Sequence, residues 1–207
     1  MDKKNDKQLF IESIRVVNGD FLNLDAHLQR MNDTILKFFK QTKPIASEEL
    51  LLAKTLENLD STCFKCRIIY GENIRSITFE KYIRRKINSL QILEDNDIDY
   101  SYKFENRKNI LSLLEKKGGC DDIIIAKNGF ITDSSYSNLV FQNKQGLFTP
   151  SSFLLNGTKR QLLLKQSKIK ETIISLNQLS LYDKVFLINA MIDIEDKVYV
   201  EVKDIRL

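Results

Sequence analysis

The residues best suited to chemistry lie at the ends of predicted strands, and the clearest case is the segment 131–141, ITDSSYSNLVF. Asp133 stands at the head of its polar part and Asn138 at the end, between the apolar runs IIIA and LVF. A simple turn needs only two or three polar residues. Six of them, headed by an acid, raise the question of what the carboxylate serves.

Lysine is the side chain that we favour as a base or nucleophile, because His27 is the single histidine. Chemistry that needs several histidines is excluded, and partial burial as a packing residue is the simpler role for His27. Lys103 ends the strand-like run YSYK. A lysine withdrawn from solvent can become a nucleophile toward aldehydes. An ordinary solvated lysine remains the alternative, and position alone does not decide.

Two further patterns have both an ordinary and a chemical interpretation. The segment 156–160, NGTKR, starts a predicted helix after Gly157, where free N–H groups and the helix dipole favour an anion. Most such turns only begin helices. Cys63 and Cys66 have redox or zinc spacing but no second pair, so packing in a strand is the better interpretation.

Composition bounds the class of protein. The chain has 207 residues, 43% of them hydrophobic, and a formal charge of +4 without a dense basic block. We therefore expect no nucleic-acid partner. A charged amino terminus and the lack of a long apolar stretch predict a cytoplasmic protein with no membrane partner.

The periodicity predicts an α+β fold in two domains. The first, residues 1–95, combines antiparallel strands with two helices, one capped by Asp25 and one by Ser47. The acidic stretch 94–99 is the predicted linker, and the second domain, residues 96–207, is larger and rich in strands. The predicted strands of the first domain are 8–19, 63–71, 74–82 and 87–93; in the second, a helix at 105–118 precedes two hairpins, a helix from 157 and a final strand.

The order of these motifs resembles the class IV aminotransferases, the fold-type IV pyridoxal-phosphate enzymes. Lys103-x-x-x-Arg107 is followed by ITDSSYSNLVF, LFTP, LLNGTKR and LINAM, while LFIESIRVVNGDFLNLDAHLQRM upstream resembles the family's first strand and His-x-x-Arg helix. The resemblance spans about residues 9–196. It implies a small amino-terminal α+β domain, a larger domain with a pseudo-barrel of strands, pyridoxal 5′-phosphate as cofactor, and a homodimer.

The resemblance also implies a role for each matched residue. Lys103 would hold the cofactor as a Schiff base and then move protons at the substrate. Asp133, where the family usually has Glu, would face the pyridine nitrogen, and Asn138 and the small hydroxyls would hold its loop by local hydrogen bonds. Around the rest of the cofactor, the implied contacts are Arg30, Thr158, Lys159, Asn189 and Ala190 at the phosphate and Leu155 near the ring.

The resemblance leaves three functions open. Lys103-Phe-Glu-Asn-Arg107 is most similar to the lyase branch, which favours a 4-amino-4-deoxychorismate lyase that releases pyruvate and forms 4-aminobenzoate for folate synthesis. Arg67 is then a guess for a substrate carboxylate contact, against the simpler role of a strand surface residue. The alternatives are an aminotransferase acting on a D- or branched-chain amino acid and a 2-oxo acid, and an inactive member that works as a binding protein.

Overall fold

The computed structural model describes residues 8–41, 44–55 and 62–207, which form two compact units. One contains the residues up to 83 together with 102–106, and the other contains 84–101 and 107–207. This division differs from the predicted boundary at residue 95. Chain pairing gives the reason: residues 90–94 pair with the second unit's sheet, whereas the backbone around Lys103 is bonded to the first strand of the first unit.

The first unit is an antiparallel sheet with two helices. Asn18 and Gly19 have φ of 52° and 81°, which is the geometry of a type I′ hairpin turn, as the Asn-Gly pair predicts. The sheet order is β2-β1-β3-β4. The elements are β1 (Phe10–Val17), β2 (Asp20–Phe21), α1 (Leu24–Phe39), α2 (Ser47–Thr55), β3 (Cys63–Tyr70) and β4 (Ile74–Lys81).

Helix α1 packs on the sheet through one face. Its buried residues His27, Met31, Thr34 and Ile35 recur at helical spacing. The prediction that Asp25 caps this helix is wrong, because the N-cap is Asn23, which has the left-handed conformation. Asp25 lies in the first turn instead, where a carboxylate is favourable to the helix dipole.

Alternation along β1 divides its side chains between the two faces of the sheet. Phe10, Ile14 and Val16 enter the core of the first unit, and Glu12 has the same parity and is fully buried. Cys66 is buried in the same core and is a free thiol, which agrees with a packing role. A charged residue at an inward position is costly unless it is paired, so Glu12 needs a partner.

The second unit is built on a nine-stranded sheet in which β5 to β10 and β13 form one path and β11 and β12 branch from β8. The predicted strand 87–93 corresponds to β5, but it pairs in parallel with β6 and β13 rather than joining the first sheet. The strands are β5 (Leu90–Glu94), β6 (Asp122–Lys127), β7 (Phe130–Ser134), β8 (Asn138–Asn143), β9 (Gly146–Pro150), β10 (Lys170–Thr172), β11 (Lys184–Ile188), β12 (Tyr199–Glu201) and β13 (Ile205–Arg206).

Two α-helices accompany this sheet, α3 (Lys108–Leu114) and α4 (Thr158–Lys165). Helix α3 is shorter than the predicted 105–118. The run of three isoleucines in β6 is fully buried, as expected for a central strand covered on both faces. The α+β fold class is therefore confirmed. Within the described ranges, no helix is both long and apolar enough to cross a membrane.

Candidate active site

The carboxylate of Asp133 is the centre of a buried polar cluster in the second unit. Its side chain is 6% exposed and lies in β7. Asn138 donates to one oxygen through Nδ2 at 2.8 Å, and the backbone N–H groups of Leu154 and Leu155 donate to the other at 3.1 and 2.9 Å. Burial raises the pKa of Asp133 to about 6, although these donors and the more distant Arg160 act to lower it.

Neutral donors therefore surround Asp133. Among the described residues, no lysine or arginine forms an ion pair with it. A buried carboxylate in this setting is short of positive charge. A cationic N–H group of a ligand would supply what the protein side chains do not.

Asn138 connects Asp133 to the chain before α4. Besides Asp133, its Nδ2 also donates to the carbonyl of Leu155 at 2.8 Å. Its Oδ1 lies so close to Gly157 that an ideal β-carbon on residue 157 would be 2.0 Å away. Glycine is therefore required at 157 by close approach, and its φ of −67° is an ordinary value.

The loop between β7 and β8 is held by its own small side chains, which confirms the hypothesis about the hydroxyl-rich segment. The hydroxyl of Ser134 accepts from the N–H of Ser137 at 3.0 Å, and Ser134 N–H donates to the Ser137 carbonyl at 2.8 Å. Arg107 donates through Nη2 to the carbonyl of Ser135. These hydrogen bonds hold the loop that follows Asp133.

The start of α4 has the geometry expected of an anion site. Gly157 is the N-cap and provides no side-chain cap. The first N–H of the ladder is that of Gln161, which donates to Gly157 at 3.0 Å, so the amides of Thr158 and Lys159 precede the helical ladder. The Lys159 side chain forms an ion pair with Asp193. Its backbone N–H is therefore the group that we consider for contact with an anion.

The predicted second phosphate-binding turn lies at residues 189–192. Asn189 and Ile192 exchange backbone hydrogen bonds at 3.1 Å in both directions, and Ala190 lies inside the turn. Asn189 accepts from Met191 N–H through Oδ1 at 2.8 Å and donates through Nδ2 to the Ser137 hydroxyl at 3.0 Å. The turn is thus tied to the Asp133 loop.

Three predicted residues, Arg30, Lys103 and Arg67, lie in the first unit. Arg30 on α1 is 16% exposed, and its Nε and Nη2 donate to the two carboxylate oxygens of Glu12 at 2.9 and 2.6 Å. Burial alone would raise the pKa of Glu12, but Arg30 and His27 outweigh it and hold that pKa well below its usual range. Arg30 is therefore held by an acid that the sequence analysis did not assign.

Lys103 is half-buried, and its backbone is fixed against β1. Its carbonyl accepts from the N–H of Ile11 at 2.9 Å, and the N–H of Glu105 donates to the carbonyl of Leu9 at 2.9 Å. Arg67 pairs with Ser13 in the sheet, one position away from Glu12, so it lies on the face opposite Glu12 and Arg30. The structure therefore separates Arg67 from Arg30.

Sequence reasoning left Glu12, Arg107 and Gly157 out of the set of site residues. Glu12 carried a signal, because it is an acid at an inward position of a strand whose other inward residues are apolar. Arg107 was noted only as part of a motif, and Gly157 only as a helix start. Their contacts with Arg30, Ser135 and Asn138 join residues that are 18, 28 and 19 positions apart, which no local pattern reveals.

A cavity of about 540 Å³ in the second unit has a basic lining that includes Arg84, Arg85 and Lys86. Arg84 pairs with Asp196 at 3.0 Å, and Arg85 lies 5.1 Å from the centre of the Tyr136 ring. None of the predicted site residues lines this cavity. It is distinct from the Asp133 cluster.

The α+β fold is similar to that of solved structures of the fold-type IV pyridoxal-phosphate class. The chain belongs to the amino-transferase class IV family, whose model matches residues 9–195. It is 31% identical over 180 residues to an uncharacterized protein of Haemophilus influenzae, which covers 87% of this chain and 96% of that protein.

Solved structures agree with this assignment. A protein of Haemophilus somnus described as a "putative 4-amino-4-deoxychorismate lyase" is 32% identical, with a TM-score of 0.83 over 89% of this chain and 97% of its own. A protein of Mycobacterium tuberculosis described as "a hypothetical aminotransferase" in a PLP-bound form is 17% identical, with a TM-score of 0.74 over 95% of this chain and 81% of its own, and it supports the fold.

The residues present fit pyridoxal 5′-phosphate, the cofactor that family membership supports. A protonated pyridine nitrogen suits a buried carboxylate that receives only neutral donors, which is the setting of Asp133. A phosphate suits the start of α4 and a guanidinium such as that of Arg30. An amine is available in Lys103. Groups of the chemical types that suit the ring nitrogen, the phosphate and the aldehyde of the cofactor are therefore present among the predicted residues.

Proposed function

We propose that this protein is a pyridoxal-phosphate-dependent 4-amino-4-deoxychorismate lyase that releases pyruvate and forms 4-aminobenzoate. The observation that carries the cofactor assignment is the buried Asp133 carboxylate, which accepts three neutral N–H donors and has a raised pKa. The bound cofactor supplies an electron sink for the carbon that loses its proton. The residues of the chain bind the cofactor and the substrate and transfer the protons.

Lys103 is the catalytic residue in this proposal. Its amine would hold the cofactor and, once free, would take the proton from the amine-bearing carbon of the substrate. The same ammonium group then returns a proton where pyruvate departs. A single lysine that carries both proton transfers explains how a chain with one histidine can be an enzyme.

Asp133 would stabilise the positive charge of the protonated ring nitrogen in this proposal. Its carboxylate stays ionised beside a cationic N–H, and the amides of Leu154 and Leu155 keep it in place. Leu155 also provides the aliphatic side chain beside the ring. Aspartate is one methylene shorter than the glutamate usual in the family, and the buried bonds from Asn138 and the two amides set how far it extends.

The phosphate is assigned to groups that donate hydrogen bonds without losing a proton. These are the guanidinium of Arg30, the amides of Thr158 and Lys159, and the turn at Asn189 and Ala190. Charge-assisted bonds from arginine and from helix amides are the strong contacts available to a phosphate. Each of these groups would hold the phosphate without taking part in the proton transfers assigned to Lys103.

Two observations favour a lyase over an aminotransferase. The segment Lys103-Phe-Glu-Asn-Arg107 resembles the lyase branch, and the 32% identical structure from Haemophilus somnus is described as a "putative 4-amino-4-deoxychorismate lyase". Arg67 remains the proposed contact for a substrate carboxylate. We also propose a homodimer and a cytoplasmic location, as the resemblance implies.

The test is an assay of the purified protein with 4-amino-4-deoxychorismate, following pyruvate and 4-aminobenzoate together. We expect equal amounts of the two products, dependent on added cofactor and lost in Lys103→Ala. Lys168→Ala is the matched control, because Lys168 is an exposed lysine paired with Glu195. Borohydride reduction should attach the cofactor to the peptide that contains Lys103.

The other outcomes identify the alternatives. Consumption of a D- or branched-chain amino acid only when a 2-oxo acid is present would identify an aminotransferase. Covalent attachment of the cofactor at a different lysine would refute the role of Lys103. If the protein binds no pyridoxal 5′-phosphate even when the cofactor is in large excess, it would be an inactive family member with a binding role.

A further inference from the structure

Glu12 is a fully buried carboxylate that the cofactor assignment does not use. It lies on β1 at an inward position, opposite Ile68 of β3. The eight residues of β1 are paired along their whole length with β3, so the backbone that carries Glu12 is fixed. The orientation of this acid is therefore set by the sheet and not by a mobile loop.

Both oxygens of Glu12 are held by donors. Oε1 accepts from the N–H of Ser13 at 2.9 Å and from Nη2 of Arg30 at 2.6 Å, and it lies 3.1 Å from Nδ1 of His27. Oε2 accepts from Nε of Arg30 at 2.9 Å. A carboxylate held by this many contacts has little freedom to move. The position of the carboxylate therefore determines the position of the arginine side chain.

The contact between Glu12 and Arg30 is a two-bond fork. It uses the edge of the guanidinium formed by Nε and Nη2. A planar guanidinium has a second edge, which points away from the first by its covalent geometry. Fixing one edge against Glu12 therefore fixes the direction of the other, and the 16% exposure of the side chain shows that part of it reaches the surface.

We propose that Glu12 is a positioning residue that aims the guanidinium of Arg30 at the phosphate group of pyridoxal 5′-phosphate. This proposal rests on the proposed function, in which Arg30 contacts that phosphate. Without Glu12, Arg30 keeps its charge but loses its defined direction, since an arginine side chain has several rotatable bonds. The sheet, through Glu12, thus sets the selectivity for a phosphorylated ligand.

The proposal makes a claim that a purely structural role does not. If Glu12 only neutralised a buried charge, its loss would weaken the binding of every ligand of the folded protein to the same extent. If Glu12 orients Arg30, its loss weakens the binding of pyridoxal 5′-phosphate. The binding of pyridoxal, which lacks the phosphate, stays almost unchanged. The ratio of the two dissociation constants therefore separates the two roles without any assay of turnover.

The experiment measures both dissociation constants, by absorbance titration, for the wild type, Glu12→Gln, Arg30→Gln and the double variant. Glutamine keeps the shape of Glu12 but cannot accept at both positions. We expect Glu12→Gln to weaken pyridoxal 5′-phosphate about tenfold or more, the scale of one charge-assisted bond, and pyridoxal by less than about twofold. Because Glu12 acts through Arg30, the double variant should bind no more weakly than Arg30→Gln.

Glu80→Gln is the control, because Glu80 forms an exposed ion pair with Lys65 at 2.9 Å in the same unit. Removing one partner of a buried pair can unfold a protein, and the double variant guards against this because it removes both charges. Glu12→Asp is the second safeguard. It keeps the charge but withdraws the carboxylate, and we expect an intermediate loss confined to the phosphorylated ligand.

Two results would overturn the positioning role while leaving the proposed function intact. One is an unchanged dissociation constant for pyridoxal 5′-phosphate in folded Glu12→Gln or Glu12→Asp, and the other is an equal increase in the dissociation constants of both ligands. A wild type that binds pyridoxal as tightly as its phosphate, or binds neither, would instead refute the phosphate contact of Arg30. In that case the proposed cofactor site fails first and the role of Glu12 fails with it.

Discussion

The side-chain oxygen of Asn138 occupies the space where a β-carbon on residue 157 would lie, at 2.0 Å from its ideal position. The same asparagine donates to Asp133 and to the carbonyl of Leu155, both at 2.8 Å. The absence of a side chain at Gly157 is thus a condition for the hydrogen bonds that hold the buried carboxylate. Helix α4 and the Asp133 loop meet at this contact.

Gly157→Ala is expected to displace Asn138, because a contact of 2.0 Å is not possible between these atoms. The bond to Asp133 then breaks or lengthens. We predict that pyridoxal 5′-phosphate binds about tenfold or more weakly, and that the free energy of unfolding falls by about 1–3 kcal/mol. Absorbance titration and urea unfolding measure the two effects.

The matched control is Gly119→Ala in the same unit. A β-carbon there would meet only the end of the Arg206 side chain, at 3.8 Å, which is an ordinary contact. Cofactor binding by Gly119→Ala should equal that of the wild type. Equal binding by Gly157→Ala as well would mean that Asn138 can move without disturbing Asp133.

The raised pKa of Asp133 predicts a pH dependence of stability in the cofactor-free protein. Its pKa is about 6 in the folded state against an ordinary value of 3.8, so the folded state binds this proton more tightly than the unfolded state. The contribution of this group is therefore most favourable below about pH 4 and is lost as pH rises through 6. The loss is on the order of 3 kcal/mol.

Asp133→Asn removes this titration, so the comparison with wild type isolates it from other groups. We expect the wild type to lose stability relative to the variant between pH 4 and 7, as measured by urea unfolding at closely spaced pH values. The sign of this change in stability is diagnostic. A carboxylate whose pKa is lowered by an ion pair, such as Glu12, makes stability rise with pH instead, and does so at lower pH. Parallel curves for the two proteins would contradict the raised pKa.

Arg107 is predicted to order the loop that presents Asp133. Its guanidinium donates to the carbonyl of Ser135, beside the short-range bonds between Ser134 and Ser137 and the bond from Asn189 to the Ser137 hydroxyl. Arg107→Met should increase hydrogen exchange at the amides of residues 134–138. Lys168→Met, an exposed substitution in the same unit, is the control. Unchanged exchange in Arg107→Met would show that the other bonds of the loop are sufficient to order it.

Arg160 is predicted to contribute stability because it is buried and paired. Its Nη2 donates to the carbonyl of Pro150 and contacts Glu171, both at 3.0 Å, and its guanidinium lies 4.2 Å from the centre of the Phe153 ring. Arg160→Met leaves a buried carbonyl without its donor. We expect the free energy of unfolding to fall by about 2–4 kcal/mol in urea unfolding.

Lys184→Met is the matched control for Arg160, because Lys184 forms the same two kinds of contact at the surface. It pairs with Glu201 at 3.4 Å and lies 4.4 Å from the centre of the Tyr199 ring. Exposed pairs are screened by water, so its loss should have a far smaller effect. Equal effects of the two substitutions would argue against burial as the cause.

Local patterns were sufficient for most of the individual elements. The Asn18-Gly19 hairpin, the spacing of apolar residues in α1 and the start of α4 after Gly157 depend on interactions between near neighbours. The polar segment at the end of β7 was also recognisable, because its bonds are local: the Ser134 hydroxyl accepts from backbone N–H groups two and three residues away, and Asn138 donates to the Asp133 side chain five residues away. The motif order was enough to indicate the family and its cofactor.

Tertiary structure decided the features that depend on distant partners. Strand β5 follows two antiparallel strands in the sequence but pairs in parallel with β6, since the choice of partner is made by burial across the whole sheet. Asp133 receives its backbone donors from Leu154 and Leu155, and Arg30 receives its acid from Glu12. Sequence alone determined which residue types are present and which short elements they form. Only the folded chain decided which charges lie together, because burial makes an unpaired charge costly and so selects partners without regard to their separation along the chain.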